Sequence, residues 1–153
     1  MEKIITVFGH SKFYNDSDEL INQIKNDIIN KVENEGFNTI YIGGYGKFDW
    51  FMARIVKDLK KSYPSLKSYL VLAYPNPKWD EFDKRLIKDY FNDHFYPDIS
   101  PIMPRYAILK RNRWMIDHAE YIIFYVNCRW GGASKALEYA KRKKKPFKNY
   151  GFL

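Results

Sequence analysis

The sequence predicts an α/β fold in which helices flank a mainly parallel sheet. Runs without charge, rich in β-branched and aromatic residues, occupy residues 4–8 and 122–126, and such runs are typical of strands covered on both faces. Segments with apolar residues at helical spacing alternate with runs of this kind. This alternation indicates right-handed βαβ units, which build a parallel sheet.

The first half of the chain contains two strand and helix pairs and then a third strand. Possible N-caps at residues 16–18 open the first helix, Gly36 closes it, and Pro64 ends the second helix. The predicted elements are a strand at residues 4–8, a helix that runs from these N-caps to residue 35, a strand at 39–42, a helix at 48–63 and a strand at 69–74.

The second half is less regular at first. Apolar spacing predicts a helix that starts near Trp79, and the prolines that follow predict a short strand or an irregular connection before residue 104. A helix over residues 105–119 comes next, with an imperfect apolar register and Arg111 assigned to its polar side. The last predicted elements are a strand at residues 122–126, a helix capped by Ser134, and a short strand at residues 147–150.

Length and composition favour a globular protein with one domain spanning residues 1–153. Hydrophobic residues make up 46% of the chain and aromatic residues 18%, and no apolar run approaches the ~20 residues needed to span a bilayer. The first ten residues lack the basic and then apolar pattern of a secretion signal, and Cys128 is the single cysteine. We therefore expect a cytoplasmic protein without membrane association or an internal disulfide.

The net charge of +8 comes mostly from one segment. Six of these charges lie within residues 141–148, which leaves +2 for the rest of the chain. Cations at the end of a helix favour the helix dipole and solubility. We prefer this interpretation to polyanion binding, although nucleic-acid binding stays open as an alternative.

Three glycine-containing loops follow predicted strands: FGHS at residues 8–11, GGYG at 43–46 and RWGGAS at 129–134. In an open parallel sheet, loops after the carboxyl ends of strands share one edge, and ligands bind there. The last loop leads into a helix, whose unpaired N–H groups and dipole favour an anion. GxGxxG and GxxxxGK[ST] are both absent, so the three loops together favour a phosphate or nucleotide cleft outside those two motifs.

Four side chains near these loops are candidate ligand contacts, and each has a structural alternative. His10 could bind a phosphate or act as an acid or base, or it could bond within its loop. Asp49 could meet a ribose hydroxyl or stabilise a helix N-terminus. Arg111 could reach a phosphate or lie on a solvated face. Trp130 could stack on a base or cover the edge of the core.

Other groups with chemical potential are weaker candidates. Glu138 follows Gly132 by six positions, which could direct its carboxylate toward the cleft, although most such glutamates are surface residues. The histidines and Cys128 show no metal-ligand spacing, and Cys128 has no evident base partner for a nucleophilic role. We expect neither a metal nor a cofactor.

Taken together, FGHS, YIGGYGKFD and the segment RNRWMIDHAEYIIFYVNCRWGGASKALEYAKRKKKPF resemble the SLOG superfamily. The nearest branch looks like the DUF1273 or YpsA-like proteins, and the similarity covers most of the chain outside residues 76–104. The resemblance implies a Rossmann-like, three-layer domain that binds a nucleotide.

The same superfamily contains the LOG-type phosphoribohydrolases, whose PGGxGTxxE motif binds phosphate and ribose. Gly131, Gly132 and Glu138 match this motif, and Arg111 matches a catalytic arginine of that group. The departures are Ser134 in place of the third glycine, Lys135 in place of the threonine, Asn112 in place of a lysine, and no proline before Gly131. Phosphate binding is compatible with these changes, whereas the hydrolytic set is incomplete.

Our leading hypothesis is a protein that senses or sequesters a small nucleotide signal such as an ADP-ribose derivative, as a homo-oligomer. The alternatives are an N-glycosidase acting on a nucleoside monophosphate, with Glu138 and Arg111 catalytic, and a single-strand nucleic-acid binder. The predicted ligand-binding residues are Gly9, His10, Ser11, Gly43, Gly44, Gly46, Asp49, Arg111, Trp130, Gly131, Gly132, Ala133 and Ser134.

Overall fold

The computed structural model describes residues 1–75, 80–99 and 103–152, and within them it contains six strands and five helices. The strands are β1 (Ile4–Gly9), β2 (Thr39–Ile42), β3 (Lys67–Val71), β4 (Asp93–Phe95), β5 (Tyr121–Tyr125) and β6 (Phe147–Asn149). The helices are α1 (Asp18–Glu35), α2 (Lys47–Ser62), α3 (Glu81–Tyr90), α4 (Pro104–His118) and α5 (Gly132–Arg142).

The six strands form one sheet in the order β4-β3-β2-β1-β5-β6, and every neighbouring pair is parallel. The predicted α/β fold with a parallel sheet is therefore confirmed. The chain first builds the sheet outward from β1 to β4, and it then crosses back so that β5 pairs with the other side of β1. The direction of winding thus reverses between β1 and β5, which is the position where ligands bind in open α/β sheets.

Helices cover both faces of the sheet, because its central strands are apolar on both sides. On one face, Ile5 and Val7 of β1 pack with residues of α1, α2 and α3. On the other face, Ile4 and Phe8 of β1 pack with residues of α4 and α5. This gives the three-layer arrangement. Among the residues that the structure describes, no helix is long and apolar enough to cross a membrane.

The predicted ends of α1 are confirmed in atomic detail. The Ser17 hydroxyl accepts a hydrogen bond from the amide of Leu20 at 3.2 Å, as an N-cap does. Gly36 ends the helix in the left-handed conformation with φ 75°, and its amide donates to the carbonyl of Lys31. Such a position favours glycine because a Cβ atom would be strained there.

Two predicted boundaries are wrong in the structure. β3 spans Lys67–Val71 instead of 69–74, because pairing with β2 already starts where Thr39 lies opposite Lys67, and hydrophobicity does not reveal that polar start. α5 starts at Gly132 with Gly131 as its N-cap, so Ser134 lies inside the helix and does not cap it. The predicted start of α3 near Trp79 lies outside the described residues. In the structure, α3 begins at Glu81, and Asp80 is its N-cap.

Gly9 ends β1 directly against α2. A Cβ atom at this position would overlap Cγ of the fully buried Phe48, whose ring cannot move without disturbing the core. We therefore predict that Gly9→Ala lowers the free energy of unfolding by about 1–3 kcal/mol or more, as overpacked cores do. Urea unfolding measures this change.

Gly132→Ala is the matched control for Gly9→Ala. A Cβ atom at Gly132 meets no atom within 4 Å, so the expected change is within about 0.5 kcal/mol, which is usual for surface substitutions. Equal stability of the two alanine variants would show that the contact between Gly9 and Phe48 does not constrain the fold.

Candidate functional site

A cavity of about 430 Å³ lies at the carboxyl ends of β1 and β5, between the loop after β1, the first turn of α2, the middle of α4 and the first turn of α5. We call it the switch-point cavity. Ten of the predicted ligand-binding residues line it together: Gly9, His10, Ser11, Gly46, Asp49, Arg111, Trp130, Gly131, Gly132 and Ala133.

The other predicted residues lie elsewhere. Gly43 packs on Arg111, Gly44 lines a neighbouring cavity, and Ser134 is buried in the first turn of α5. Glu138 is not among the lining residues: it is exposed on α5, and its carboxylate lies 3.7 Å from Nζ of Lys141. The orientation toward the cleft that we considered for Glu138 is thus not what the structure shows.

The first turn of α5 presents amides without acceptors to this cavity. The first helical hydrogen bond runs from the amide of Lys135 to the carbonyl of Gly131 at 3.1 Å, so the amides of residues 132–134 precede it and have no acceptor in the helix. No side chain in the described part of the chain caps this end, and no acidic residue lies in its first turn. Added Cβ atoms at Gly131, with φ 94°, and at Gly132 would meet no atom within 4 Å, so the space above these amides is open.

The first turn of α2 reaches the same cavity, and one of its amides already has an acceptor outside the helix. The amide of Lys47 donates to the carbonyl of Ser11 at 3.0 Å. Asp49 is the acidic residue of this first turn, and its carboxylate accepts from the amide of Tyr45, which precedes the helix, at 3.0 Å. Asp49 thus lies at the helix N-terminus, although its side chain bonds the amide of Tyr45 and not an amide of the first turn. Of these two helix ends, the start of α5 is the one with room for an anion.

The environment of Asp49 favours its neutral form. Burial raises the pKa of Asp49 to about 6, although the nearby Arg111 and the amides of Tyr45 and Gly44 act in the opposite direction. A carboxyl group with such a pKa at the wall of a cavity is a common feature of functional sites. It can accept or donate a hydrogen bond near neutral pH.

Arg111 is buried, with 3% of its surface exposed, and lies on the inward face of α4. Its Nη1 donates to the carbonyls of Gly43 at 3.1 Å and Val71 at 2.9 Å. Its Nε and Nη2 donate to Oδ1 of Asn112 at 3.0 and 2.8 Å. The assignment of Arg111 to the polar side of α4 is therefore wrong. Its guanidinium instead joins α4 to the ends of β2 and β3.

The position of Arg111 explains one of the loop glycines. A Cβ atom at residue 43 would lie 2.8 Å from Nη1 of Arg111, so only glycine lets the chain pass this close to the guanidinium. The guanidinium of Arg111 also packs on the ring of Tyr45, with Cζ of Arg111 4.7 Å from the ring centroid. Gly43 is thus explained by packing, whereas Gly131 and Gly132 face open space.

His10 lies beside Asn127 and Cys128 in the wall of the cavity. The amide of Asn127 donates to Nε2 of His10 at 3.0 Å, so the neutral ring carries its proton on Nδ1. Burial lowers the pKa of His10, which also favours the neutral form. Sγ of Cys128 lies 3.6 Å from the same Nε2, so the structure places beside this thiol a base partner that the sequence did not reveal.

Trp130 is the most exposed ring at the cavity, with 76% of its surface accessible. It therefore does not cover the edge of the core, which was one of the two interpretations of this residue. An indole ring at this position offers a flat surface to a planar ligand.

Sequence reasoning missed several lining residues: Lys12, Tyr45, Ile108, Asn112, Asn127 and Cys128. Lys12, Tyr45, Asn127 and Cys128 adjoin or lie within the predicted loops, so extending each loop by one or two residues would have found them. Asn112 gave no such signal, because its burial depends on the orientation of α4. Within the described part of the chain, no group of three or more His, Cys, Asp or Glu residues is arranged to hold a metal ion.

Comparison of sequences links the chain to one family. The model of the YspA SLOG family matches residues 5–152, which is nearly the whole chain. Curated proteins provide no sequence match.

The solved structures that are similar to this chain include two DNA processing proteins and a molybdenum cofactor carrier protein. DNA processing protein A (DprA) from Streptococcus pneumoniae has 19% identity over 97% of this chain and 50% of that chain, with a TM-score of 0.63. DNA processing protein A from Helicobacter pylori has 15% identity over 96% of this chain and 64% of that chain, with a TM-score of 0.60. The molybdenum cofactor carrier protein from Chlamydomonas reinhardtii has 17% identity over 97% of this chain and 76% of that chain, with a TM-score of 0.53.

This chain spans one half to two thirds of the length of the two DprA chains. At such low identity these similarities show the fold alone, and they confirm the predicted Rossmann-like arrangement.

The raised pKa of Asp49 predicts a specific pH dependence of stability. The folded state holds the Asp49 proton up to a pH of about 6, whereas the unfolded state loses it near 3.8, so ionisation of Asp49 lowers stability as pH rises through this window. Asp49→Asn mimics the neutral form. We expect it to match the parent near pH 4 and to exceed its unfolding free energy by on the order of 1–2 kcal/mol at pH 7.5.

Urea unfolding at several pH values measures the difference between Asp49→Asn and the parent. Asp89→Asn, which removes an exposed carboxylate of α3, is the control for loss of a negative charge. A difference for Asp49→Asn that does not change with pH would contradict the prediction.

The Arg111 network predicts that lysine cannot replace this arginine. A lysine ammonium can reach the carbonyls of Gly43 and Val71, but it lacks the second pair of donors that Asn112 requires. We expect Arg111→Lys to lower the unfolding free energy by about 1–3 kcal/mol. Arg113→Lys, on the exposed side of the same helix, should change it by less than about 0.5 kcal/mol in the same urea experiment. If Arg111→Lys and Arg113→Lys change the unfolding free energy by similar amounts, the hydrogen bonds of the buried Arg111 guanidinium have no structural role.

Proposed function

The chain belongs to the YspA SLOG family, and we propose that it binds a small nucleotide or nucleotide-derived ligand, such as an ADP-ribose derivative, in the switch-point cavity. The observation that carries this proposal is the first turn of α5. Among the residues that the structure describes, the amides of this turn have no acceptor and the space above Gly131 and Gly132 is open, and the turn contains no acidic residue. A phosphate at this point would supply both the missing acceptors and the negative charge.

The rest of the cavity suits the other parts of a nucleotide. Trp130, at the rim, would stack on the base. Asp49, which lies across the cavity on α2, would accept a hydrogen bond from a ribose hydroxyl. Lys12 would add positive charge near the phosphate. Sensing and sequestration of a signal both need such a site.

We favour binding over N-glycosidic cleavage because of the position of Glu138. In that alternative Glu138 and Arg111 assist the reaction. Glu138 is exposed on α5 and pairs with Lys141, and four N–H donors of Arg111 are engaged by Gly43, Val71 and Asn112. Neither group is arranged to act on a sugar in the cavity.

Similar structures carry names with different ligands. The Helicobacter pylori protein is described by its single-stranded DNA binding, and the Chlamydomonas reinhardtii protein as a carrier of the molybdenum cofactor. The fold therefore accommodates ligands of different sizes. The direct test of the proposal is a panel of nucleotides that differ in size.

Thermal unfolding with AMP, ADP, ADP-ribose and the corresponding guanine nucleotides tests the proposal. A ligand that binds only the folded state stabilises it by about 2.7 kcal/mol at one hundred times its Kd, which raises the Tm by several degrees. We expect such a shift for at least one nucleotide. The absence of a shift with every nucleotide at millimolar concentration would overturn the proposed function.

Gly132→Asp locates the phosphate within the cavity. The new carboxylate would occupy the open end of α5, so it should stabilise the free protein by about 0.3–1 kcal/mol and weaken nucleotide binding at least ~10-fold. Gly132→Asn has nearly the same shape without the charge and should bind almost normally. Unchanged nucleotide binding by the aspartate variant would place the phosphate elsewhere.

A further inference from the structure

A second cavity of about 680 Å³ adjoins the switch-point cavity, and the two share Ser11, Tyr45 and Gly46 as lining residues. We call the second one the side cavity; Tyr14, Lys47 and Arg54 also line it. Both volumes lie in the range of about 300–1,000 Å³ that is usual for small-molecule sites. Each cavity is therefore large enough for one nucleotide unit.

Close backbone packing forms the boundary between the two cavities. The loop after β1 and the start of α2 are joined by the hydrogen bond from the amide of Lys47 to the carbonyl of Ser11 at 3.0 Å. A Cβ atom at Gly46 would lie 2.6 Å from Cα of Ser11, so no side chain rises from residue 46 at the boundary. The two cavities thus lie on either side of the contact between Ser11 and Gly46, which lines both of them.

The side cavity combines cations with aromatic rings. Lys47, Trp50 and Arg54 follow one another at the i, i+3 and i+7 positions of α2 and share one face of that helix. Tyr14 is 74% exposed, and Nζ of Lys47 lies 4.9 Å from the centroid of its ring. Asp16 is the acidic residue among the residues that line this cavity, so the two cations leave it net positive.

The ring of Trp50 is held in place by two other aromatic rings. It makes edge contacts with the rings of Tyr90 and Phe91 at centroid distances of 5.9 and 5.8 Å. A fixed indole, an exposed tyrosine and two cations are the groups that bind a base and a phosphate. The switch-point cavity offers the indole of Trp130 and the amides of α5 for the same two parts of a nucleotide.

We propose that the ligand contains two nucleotide units joined through phosphate, with one unit in each cavity and the linkage over Gly46. This proposal rests on the proposed function and extends it to the class of ligand. The first unit occupies the switch-point cavity with a phosphate at α5. The second unit lies against Tyr14 and pairs its phosphate with Lys47 and Arg54.

The test compares a ligand with one unit to ligands with two. Isothermal titration calorimetry with AMP, diadenosine diphosphate and the dinucleotide pApA separates a 5′–5′ pyrophosphate from a 3′–5′ phosphodiester linkage. We expect one of the two-unit ligands to bind the parent protein at least ~10-fold more tightly than AMP does. In the variant Tyr14→Ala/Arg54→Ala, that ratio should fall below ~3 while the affinity for AMP is unchanged.

A matched control is Phe82→Ala/Arg142→Ala, which removes an exposed ring from α3 and an exposed arginine from the end of α5. It should keep the parent ratio. All four substituted residues are exposed, and thermal unfolding of the free variants verifies their folding.

The outcomes separate this inference from the proposed function. If AMP binds but neither two-unit ligand binds more tightly, or if the Tyr14→Ala/Arg54→Ala variant keeps the ratio, the second subsite is refuted and the proposed function stands. If no nucleotide binds, both proposals fail. If affinity keeps rising for oligonucleotides longer than two units and falls steeply with salt, the ligand is a single strand, and the two-unit proposal is wrong.

Discussion

The buried guanidinium of Arg111 is the constraint on which the edge of the sheet depends. A charge removed from water is costly unless it is hydrogen-bonded, and Arg111 meets this condition by donating to Gly43, Val71 and Asn112. These contacts tie α4 to the ends of β2 and β3, and they leave no room for a side chain at residue 43. The loop after β2 is thereby held against the wall of the switch-point cavity.

The cavity owes its chemical character to an asymmetry between two helix ends. At the first turn of α2, the amide of Lys47 donates to the carbonyl of Ser11, and Asp49 adds a carboxyl group. The first turn of α5 begins at Gly131 without either. Since both turns reach the same cavity, the positive end of α5 is the one that an anionic ligand can use. The raised pKa of Asp49 limits competing negative charge in the cavity, and neutral Asp49 and His10 both remain able to form hydrogen bonds.

The basic segment, residues 141–148, begins at the C-terminal end of α5, whereas the switch-point cavity lies at the N-terminal end of that helix. Lys141 and Arg142 occupy the last turn, where cations favour the helix dipole, and Lys145 donates to the carbonyls of Asp117 and Ala119 at 3.1 and 3.0 Å. Much of the net charge therefore has a local structural explanation at the edge of the sheet opposite the cavity.

The sequence by itself determined the α/β class, the parallel sheet, the bounds of α1 and β2, and the meeting of three glycine loops at one edge. These features follow from local periodicity and turn chemistry, which the residues carry within a few positions of one another. Only the tertiary structure decided that Arg111 points inward, that Gly43 is needed for packing while Gly131 and Gly132 stay open, and that His10 lies beside Cys128. Each of these depends on contacts between residues far apart in the chain, such as the 68 positions between Gly43 and Arg111. Local patterns contain no record of such contacts, because the orientation of a helix and the closeness of two loops are set by packing.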